Sequence, residues 1–207
     1  MKNAIGIDEV GRGPLAGPVC VAGCILYDVS ILKKAPYRLR DSKKLSEKER
    51  LAWMELLVQW KQEGKCNFSS HFIHAQSIDK WGIRKALMLG VSRTLRVLRA
   101  HEKQTILLDG SLYAPTRYKK QKTLIKGDEL VAVISLASIV AKVRRDTYMK
   151  KQAKYYPMYG FEYHVGYGTR VHYKALEQHG ISDIHRRSYL KKWLISKKPY
   201  KSRLKMQ

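Results

Sequence analysis

Acidic residues are scarce in this chain. It holds 17 Asp and Glu against 41 Lys and Arg, which gives a formal net charge of +24 at pH 7. Such an excess of cations favours binding to a polyanion, because phosphates that the protein neutralises release their counterions. Charge alone does not separate a nuclease from a repressor or a ribosomal protein, and it also fits a membrane-surface protein, although no long basic amphipathic helix stands out.

Cysteines and long apolar runs are also few. The three cysteines, Cys20, Cys24 and Cys66, match no zinc-binding spacing, and we interpret Cys20 and Cys24 as small core residues. The longest apolar stretch is shorter than the roughly 18 residues that a membrane span needs. The first residues lack the apolar run of a signal peptide. These absences predict a cytoplasmic protein without a membrane segment.

The apolar patterns predict alternating strands and helices. We expect strands at 4–9, 17–27, 66–73, 104–109 and 122–126, with the first two forming a hairpin, and helices at 46–60, 77–100 and 130–154, with shorter ones at 172–178 and 188–195. The first helix should face inward with Leu51, Met54, Leu57 and Val58, and the second with Trp81, Leu87, Val91, Leu95 and Leu98. This order predicts an α/β fold with a mixed five-stranded sheet flanked by helices.

The few acidic residues occupy notable positions. Asp8 and Glu9 close the first apolar strand, Asp109 ends the fourth, and Asp128 follows the fifth. Carboxylates at the ends of neighbouring strands repel one another unless a cation intervenes, and Mg²⁺ or Mn²⁺ prefers such hard oxygen ligands. Two such ions can hold the attacking water and the leaving oxygen of a phosphodiester. A lone Asp at a strand end is otherwise a turn former, and Asp128 could simply cap the next helix.

A glycine-rich turn follows the first strand. Gly11-Arg12-Gly13, with Ala16, satisfies the relaxed dinucleotide pattern G-x-G-x-x-A. That pattern requires a helix at this point, whereas Pro14 and a β-rich run follow here, and the preceding carboxylates would repel a pyrophosphate. We therefore interpret the turn as one that approaches a nucleic-acid backbone closely.

Taken together, these segments resemble the motifs of ribonuclease HII. The resemblance is carried, in order along the chain, by Gly6-Ile7-Asp8-Glu9-Val10-Gly11-Arg12-Gly13-Pro14-Leu15-Ala16-Gly17-Pro18-Val19, Asp41-Ser42-Lys43-Lys44-Leu45-Ser46, Leu108-Asp109-Gly110, Lys126-Gly127-Asp128, Ala137-Ser138-Ile139-Val140-Ala141-Lys142-Val143-Arg144-Arg145-Asp146, Gly166-Tyr167-Gly168-Thr169 and His185-Arg186-Arg187-Ser188.

The resemblance implies an endonuclease that cuts the RNA strand of RNA/DNA hybrids and single ribonucleotides in duplex DNA, leaving a 5′-phosphate and a 3′-hydroxyl. It implies a ribonuclease H-like domain over 1–190, with a small C-terminal helical part at about 155–190, and a basic tail over 191–207. The implied metal-binding catalytic residues, for Mg²⁺ or Mn²⁺ and two ions during catalysis, are Asp8, Glu9, Asp109 and Asp128. The implied substrate contacts are Gly11, Arg12, Gly13 and Tyr167 at the ribonucleotide–deoxynucleotide junction, with Lys43, Lys44 and Lys142 at phosphates or positioning the site.

Some residues depart from the family pattern or carry no predicted catalytic role. Val165 stands where a basic residue is expected, Tyr189 replaces a Phe, and Arg40 replaces a polar residue, which bears on substrate affinity rather than on the carboxylates. We interpret Asp146 as structural, paired with nearby basic groups, and the same for His164, His172 and His185.

A protein that binds nucleic acid without cutting it is the alternative to a nuclease. A basic nucleic-acid-binding protein without catalysis would explain the charge and the basic tail, but not the acidic residues at three strand ends. We take a monomer as the default state.

Overall fold

The sheet is mixed, as the sequence predicts. The computed structural model describes residues 3–35, 39, 42 and 44–196. Its strands are β1 (Ile5–Val10), β2 (Val19–Leu26), β3 (Cys66–Ile73), β4 (Ile106–Asp109) and β5 (Gln121–Leu124), in the order β3-β2-β1-β4-β5. β1–β2 and β2–β3 pair antiparallel, whereas β1–β4 and β4–β5 pair parallel. The carboxyl ends of β1, β4 and β5 therefore lie at one edge of the sheet.

Helices cover both faces of the sheet. They are α1 (Glu47–Gln62), α2 (Ala75–Val97), α3 (Gly127–Leu130), α4 (Ala132–Ala153), α5 (Phe161–His164), α6 (Arg170–His179) and α7 (Lys191–Ser196), with 3₁₀ turns at Val29–Lys34 and Pro157–Tyr159. α2 packs on one face, and α1 and α4 pack on the other. Because both faces are covered, every residue of β2 is buried. Among the described residues, none of the helices has the length and apolar character that a membrane crossing requires.

Two predicted helix faces need correction. Ser46 begins α1 with the capping box that its spacing from Glu49 predicts. The buried face of α1, however, is Trp53, Leu57 and Trp60, whereas Leu51 and Val58 are 43% and 41% exposed. The large indole rings remove more apolar surface from water than the residues they displace from the interior.

The second correction concerns Trp81 in α2. This helix breaks at Gly82, whose φ of 77° and ψ of 159° are not helical. The break resets the helical period, so Trp81 is exposed while Leu87, Val91 and Leu95 are buried as predicted.

The C-terminal helical part has its own apolar cluster. Tyr159, Phe161 and Leu176 pack there with Leu15 and Ala16, which come from the loop between β1 and β2. The C-terminal part therefore packs directly on the glycine-rich loop rather than on the sheet alone.

β1 and α4 approach each other closely at Gly6. A Cβ atom at this position would lie 2.3 Å from the carbonyl carbon of Val133 and 2.5 Å from the amide nitrogen of Ile134. Those atoms belong to the backbone of α4, so they cannot move aside as a side chain can. Gly6 thus sets the distance between the strand that carries Asp8 and the helix that carries Ser138.

We expect Gly6→Ala to lower the free energy of unfolding by about 1–3 kcal/mol, because overpacking forces α4 away from the sheet. Urea denaturation measures the loss. Gly13→Ala is the matched control, since the closest atom to its Cβ would be a Tyr167 ring carbon at 3.9 Å. Equal stability of the two variants would contradict the close packing of β1 on α4.

Candidate active site

The acidic residues meet at the carboxyl edge of the sheet. Ile7 pairs with Leu108 in the parallel β1–β4 ladder, so the next residues, Asp8 and Asp109, are neighbours across strands about 4.8 Å apart. Asp109 Oδ1 accepts a 2.7 Å hydrogen bond from the Gly127 amide, which brings the turn after β5 to the same place. Asp128 follows in α3 and is buried, and the N-cap of α3 is Lys126 rather than Asp128.

Asp8 is held in an unfavourable electrostatic environment. It is 4% exposed. Burial raises its pKa well above the usual range, the charges of Glu9 and Asp109 raise the pKa further, and a hydrogen bond from the Ser138 hydroxyl opposes the rise. The Ser42 hydroxyl lies 2.8 Å from that of Ser138 and extends this contact to a second buried hydroxyl.

Glu9 carries the clearest sign of an incomplete site. Its Oε1 pairs with the Arg12 guanidinium at 3.2 Å, and Arg12 also donates to the Ser111 hydroxyl at 2.8 Å. Burial nevertheless raises the pKa of Glu9 to about 7, although Arg12 opposes the shift. Its Oε2 is buried and has no hydrogen-bond partner among the described residues. Such an atom is costly to bury unless a ligand satisfies it.

The donor set fits a hard divalent cation, but its side chains are turned to other partners. Across the described part of the chain, no group of three or more Asp, Glu, His or Cys side chains is arranged to hold a metal ion. Glu9 is engaged by Arg12 and Asp109 by the Gly127 amide. The oxygen-only chemistry, the burial and the unpartnered Glu9 oxygen suit Mg²⁺ or Mn²⁺, and such an ion would compete with Arg12 and the Gly127 amide for these carboxylates.

A cleft connects Glu9 to most of the predicted substrate contacts. It is lined by Glu9, Val10, Gly11, Arg12, Gly13, Ser42, Lys142 and Tyr167. The Lys142 ammonium pairs with Asp146 at 2.8 Å, as the structural interpretation of Asp146 predicts. The Tyr167 ring is 43% exposed and lies beside Gly13. The structure thus brings Gly11, Arg12, Gly13, Lys142 and Tyr167 together.

The two remaining lysines are not in this lining. Lys44 is exposed and pairs with Glu129 at 3.2 Å, next to Asp128. Lys43 lies outside the described residues, as do Arg40 and Asp41. The roles of Lys43 and Lys44 stay predictions.

Buried arginines hold the glycine-rich loop, which sequence reasoning did not find. Arg186 donates to the carbonyls of Gly11, Arg12 and Gly17 at 2.6, 2.8 and 2.9 Å. Arg145 donates to those of Ala16, Pro18 and Val165 at 3.3, 3.0 and 3.0 Å. Both side chains are 0% exposed, and burial lowers the pKa of Arg186 to about 10. Both arginines lie inside motifs of the family pattern, but the spacing of those motifs assigns them no role.

Gly11 explains why the loop accepts such close contacts. Its φ is +95°, and a Cβ there would lie 2.1 Å from Arg145 Nε. A side chain at this position would therefore be strained in its backbone and would displace the guanidinium.

The departures from the family pattern touch the same loop. The Tyr189 hydroxyl, absent from a Phe, donates to the Arg12 carbonyl at 2.9 Å, and the Arg186 guanidinium lies 5.1 Å from the centre of the Tyr189 ring. Val165 adopts a left-handed backbone with φ of 43°, a strained conformation for a β-branched residue. Its carbonyl accepts the Arg145 hydrogen bond, which helps to hold that conformation.

A histidine cluster of His164, His172 and His185 lies behind Tyr167. The rings of His164 and His172 stack with centroids 4.6 Å apart, and the Nε2 atoms of His172 and His185 lie 3.0 Å apart. His172 and His185 are 0% and 2% exposed. Burial lowers the pKa of each to about 4. The three histidines are packed in the C-terminal part rather than placed among the carboxylates.

The order and direction of the strands define the class of fold: a ribonuclease H-like fold. Ribonuclease H2 of Pyrococcus horikoshii OT3 superposes with a TM-score of 0.70 at 21% identity, covering 95% of this chain and 100% of that one. Bst-RNase HIII, solved in complex with Mn²⁺, superposes with a TM-score of 0.66 at 19% identity, covering 95% of this chain and 70% of that one. These neighbours confirm the predicted fold.

Sequence comparison gives the family. The ribonuclease HII profile matches residues 5–192. Ribonuclease HII of Nitrosomonas europaea is 42% identical over 188 residues, covering 91% of this chain and 82% of the relative. The chain belongs to the ribonuclease HII family. This confirms the predicted enzyme class, a metal-dependent endoribonuclease acting on the RNA strand of RNA/DNA hybrids, and sets aside a purely binding protein.

The buried histidines predict a loss of stability in acid. Their pKa of about 4 in the folded chain lies below the ordinary 6.5, so the unfolded chain binds more protons between these values. Stability should therefore fall as pH drops from about 6.5 to 4, by up to about 3 kcal/mol for each histidine.

Urea denaturation across this pH range measures the loss, with the double variant His172→Gln, His185→Gln as the reference. Carboxylates titrate in both proteins, so the difference between them isolates the histidines. Parallel pH profiles would show that the imidazoles are not held neutral.

Proposed function

We propose that this chain cuts on the 5′ side of a ribonucleotide, both in RNA/DNA hybrids and at single ribonucleotides embedded in duplex DNA. The products are a 3′-hydroxyl and a 5′-phosphate. Asp8, Glu9, Asp109 and Asp128 would hold two divalent cations, Mg²⁺ or Mn²⁺. The single observation that carries the metal assignment is the buried, unpartnered Oε2 of Glu9 beside Asp8.

The carboxylates are poised to gain from a cation. Asp8 and Glu9 are each raised in pKa by burial and by neighbouring negative charge. Divalent cations bound there would activate the attacking water and neutralise the charge that develops on the leaving oxygen. The Ser138 hydrogen bond opposes the rise in the pKa of Asp8, and Arg12 pairs with Glu9 at the mouth of the cleft.

The glycine-rich loop is suited to donate hydrogen bonds to the ribonucleotide. In a trans peptide the C=O and N–H bonds point in opposite directions. Arg186 binds the carbonyls of Gly11 and Arg12 from the buried side, so the N–H groups of Arg12 and Gly13 point away from the guanidinium. Arg12 and Gly13 are exposed. These donors support a role in binding the 2′-hydroxyl, the mark that distinguishes RNA from DNA.

Tyr167 lies close enough to read the next sugar. Its ring is half exposed beside Gly13, and the Arg145 guanidinium lies 5.9 Å from the ring centre. An aromatic face packs well on an apolar deoxyribose C2′. Lys142, in the same cleft, is placed to contact a phosphate.

The proposal also covers the domain bounds, the cellular location and the oligomeric state. The separate apolar cluster supports a C-terminal part at about 155–190 within the domain 1–190. Of the basic tail over 191–207, residues 191–196 form α7 and the rest lies outside the described residues. Free, buried Cys20, Cys24 and Cys66 suit a reducing cytoplasm. A monomer remains the default.

Asp109→Asn should lower cleavage of a hybrid by about 100-fold or more, because bound metal ions contribute several kcal/mol to transition-state stabilisation. The fold should persist, since removing one charge relieves repulsion within a crowded acidic site. Initial rates with Mg²⁺ or Mn²⁺ measure the loss, and calorimetric Mn²⁺ titration measures the weakened binding.

Glu102→Gln is the control for that substitution. It also removes one negative charge, but it lies in the turn before β4, at the opposite end of that strand. Parent-like cleavage by Asp109→Asn would rule out the proposed metal ligands.

Tyr167→Ala should lose incision at a single embedded ribonucleotide more than cleavage of a continuous hybrid, by about 10-fold or more, since stacking of a ring on a nucleotide contributes about 1–3 kcal/mol. Gly13→Val should show a similar defect, because the added side chain would meet the Tyr167 ring. Tyr163→Ala removes an 85% exposed ring from the same C-terminal part and serves as the control. Full incision by Tyr167→Ala would exclude the junction-reading role.

A further inference from the structure

The histidine cluster ends at the backbone of Tyr167. His172 Nδ1 lies 2.9 Å from the Tyr167 carbonyl oxygen, and His172 Nε2 lies 3.0 Å from His185 Nε2. The Ser182 amide donates to His185 Nδ1 at 2.9 Å. A continuous chain of hydrogen bonds therefore links Ser182 to Tyr167 through two imidazoles.

The proton positions along this chain follow from its two ends. A backbone N–H can only donate, so His185 Nδ1 accepts and its proton is on Nε2. A carbonyl can only accept, so His172 carries its proton on Nδ1 and accepts at Nε2. Starting from either end gives the same pair of neutral tautomers. Each imidazole thus donates from one ring nitrogen and accepts at the other. The Ser182 hydroxyl, 2.8 Å from His185 Nδ1, shares that acceptor with the Ser182 amide.

Several further hydrogen bonds constrain the turn that carries Tyr167. Its carbonyl also accepts from the Thr169 amide at 2.9 Å, and its amide donates to the His164 carbonyl at 2.9 Å. On the preceding residue, the Gly166 amide donates to His164 Nδ1 and the Gly166 carbonyl accepts from the Leu15 amide at 2.8 Å. The contact of the His172 side chain with the Tyr167 carbonyl links this turn to α6.

We propose that His172, with its tautomer fixed by His185, is a positioning residue for Tyr167: it orients the Tyr167 peptide so that the ring stays against Gly13. The consequence for substrate choice rests on the proposed function, in which Tyr167 reads the ribonucleotide–deoxynucleotide junction. His172 itself is 0% exposed, so its side chain is not accessible to a substrate.

Two amide substitutions test the two ring nitrogens of His172 separately. Asn places an amide near the position of Nδ1 and retains a donor for the Tyr167 carbonyl. Gln places its amide near Nε2 and retains the contact to His185 but loses the donor to Tyr167. Both replace a buried ring by a smaller amide, so urea denaturation should give similar losses of stability and serves as the matched control.

The readout is the ratio of incision at one embedded ribonucleotide to cleavage of a continuous hybrid, as kcat/KM for each substrate. His172→Gln should lower this ratio by about 3–10-fold, the value of one ordinary hydrogen bond, while His172→Asn should retain it. Equal ratios for the two variants, whether both lowered or both parental, would overturn the positioning role.

A second measurement does not depend on the proposed function. Nitrogen NMR of the imidazoles should show the proton on Nδ1 of His172 and on Nε2 of His185, and the carbonyl ¹³C resonance of Tyr167 should shift in His172→Gln but not in His172→Asn. The opposite tautomers, or an unshifted resonance, would overturn the positioning inference. If these signals appear while Tyr167→Ala keeps the parental incision ratio, it is the junction-reading role that fails.

Discussion

The active site depends on the contact of two buried guanidinium groups with backbone carbonyls. Arg145 and Arg186 together donate six hydrogen bonds to the loop between β1 and β2 and to the turn before Tyr167. Burying an arginine is costly unless its donors are satisfied. Carbonyl oxygens satisfy them here, and this choice fixes the direction of each peptide plane. Because Arg186 binds the carbonyls of Gly11 and Arg12 from the core, the N–H groups of Arg12 and Gly13 point outward.

The carboxylates at the carboxyl edge of the sheet, in contrast, destabilise the fold. Asp8 is buried and Glu9 is mostly buried, with Asp109 on the adjacent strand, and neighbouring negative charge helps to raise the pKa of both Asp8 and Glu9. The packing around them must supply the stability that they lose, and the backbone contact of Gly6 with α4 and the Ser138 hydrogen bond to Asp8 are parts of that packing. Such packing lets the site fold without a cation, and a cation bound at the proposed ligands would relieve the repulsion that remains.

Features that depend on residues close together in the sequence could be predicted, and features that depend on distant residues could not. Strand positions, the capping box at Ser46 and the carboxylates at strand ends depend on short-range periodicity, and the parallel pairing of β1 with β4 then brings Asp8 beside Asp109. Trp81 was placed wrongly because one break at Gly82 changes the phase of a helix. Five of the six hydrogen bonds of Arg145 and Arg186 join residues more than a hundred positions apart, as between Arg186 and Gly11, and sequence periodicity carries no information about such contacts.

The departure at Tyr189 is best understood through the same loop. A Phe would offer its ring face to Arg186, and Tyr does so as well, but the hydroxyl adds a second donor to the Arg12 carbonyl beside that of Arg186. A carbonyl oxygen has two lone pairs, so both donors are accommodated. This extra bond resists rotation of the peptide between Arg12 and Gly13, the unit whose N–H points away from the Arg186 guanidinium. The tyrosine hydroxyl therefore stiffens the glycine-rich loop, and Tyr189 is not among the residues that line the cleft.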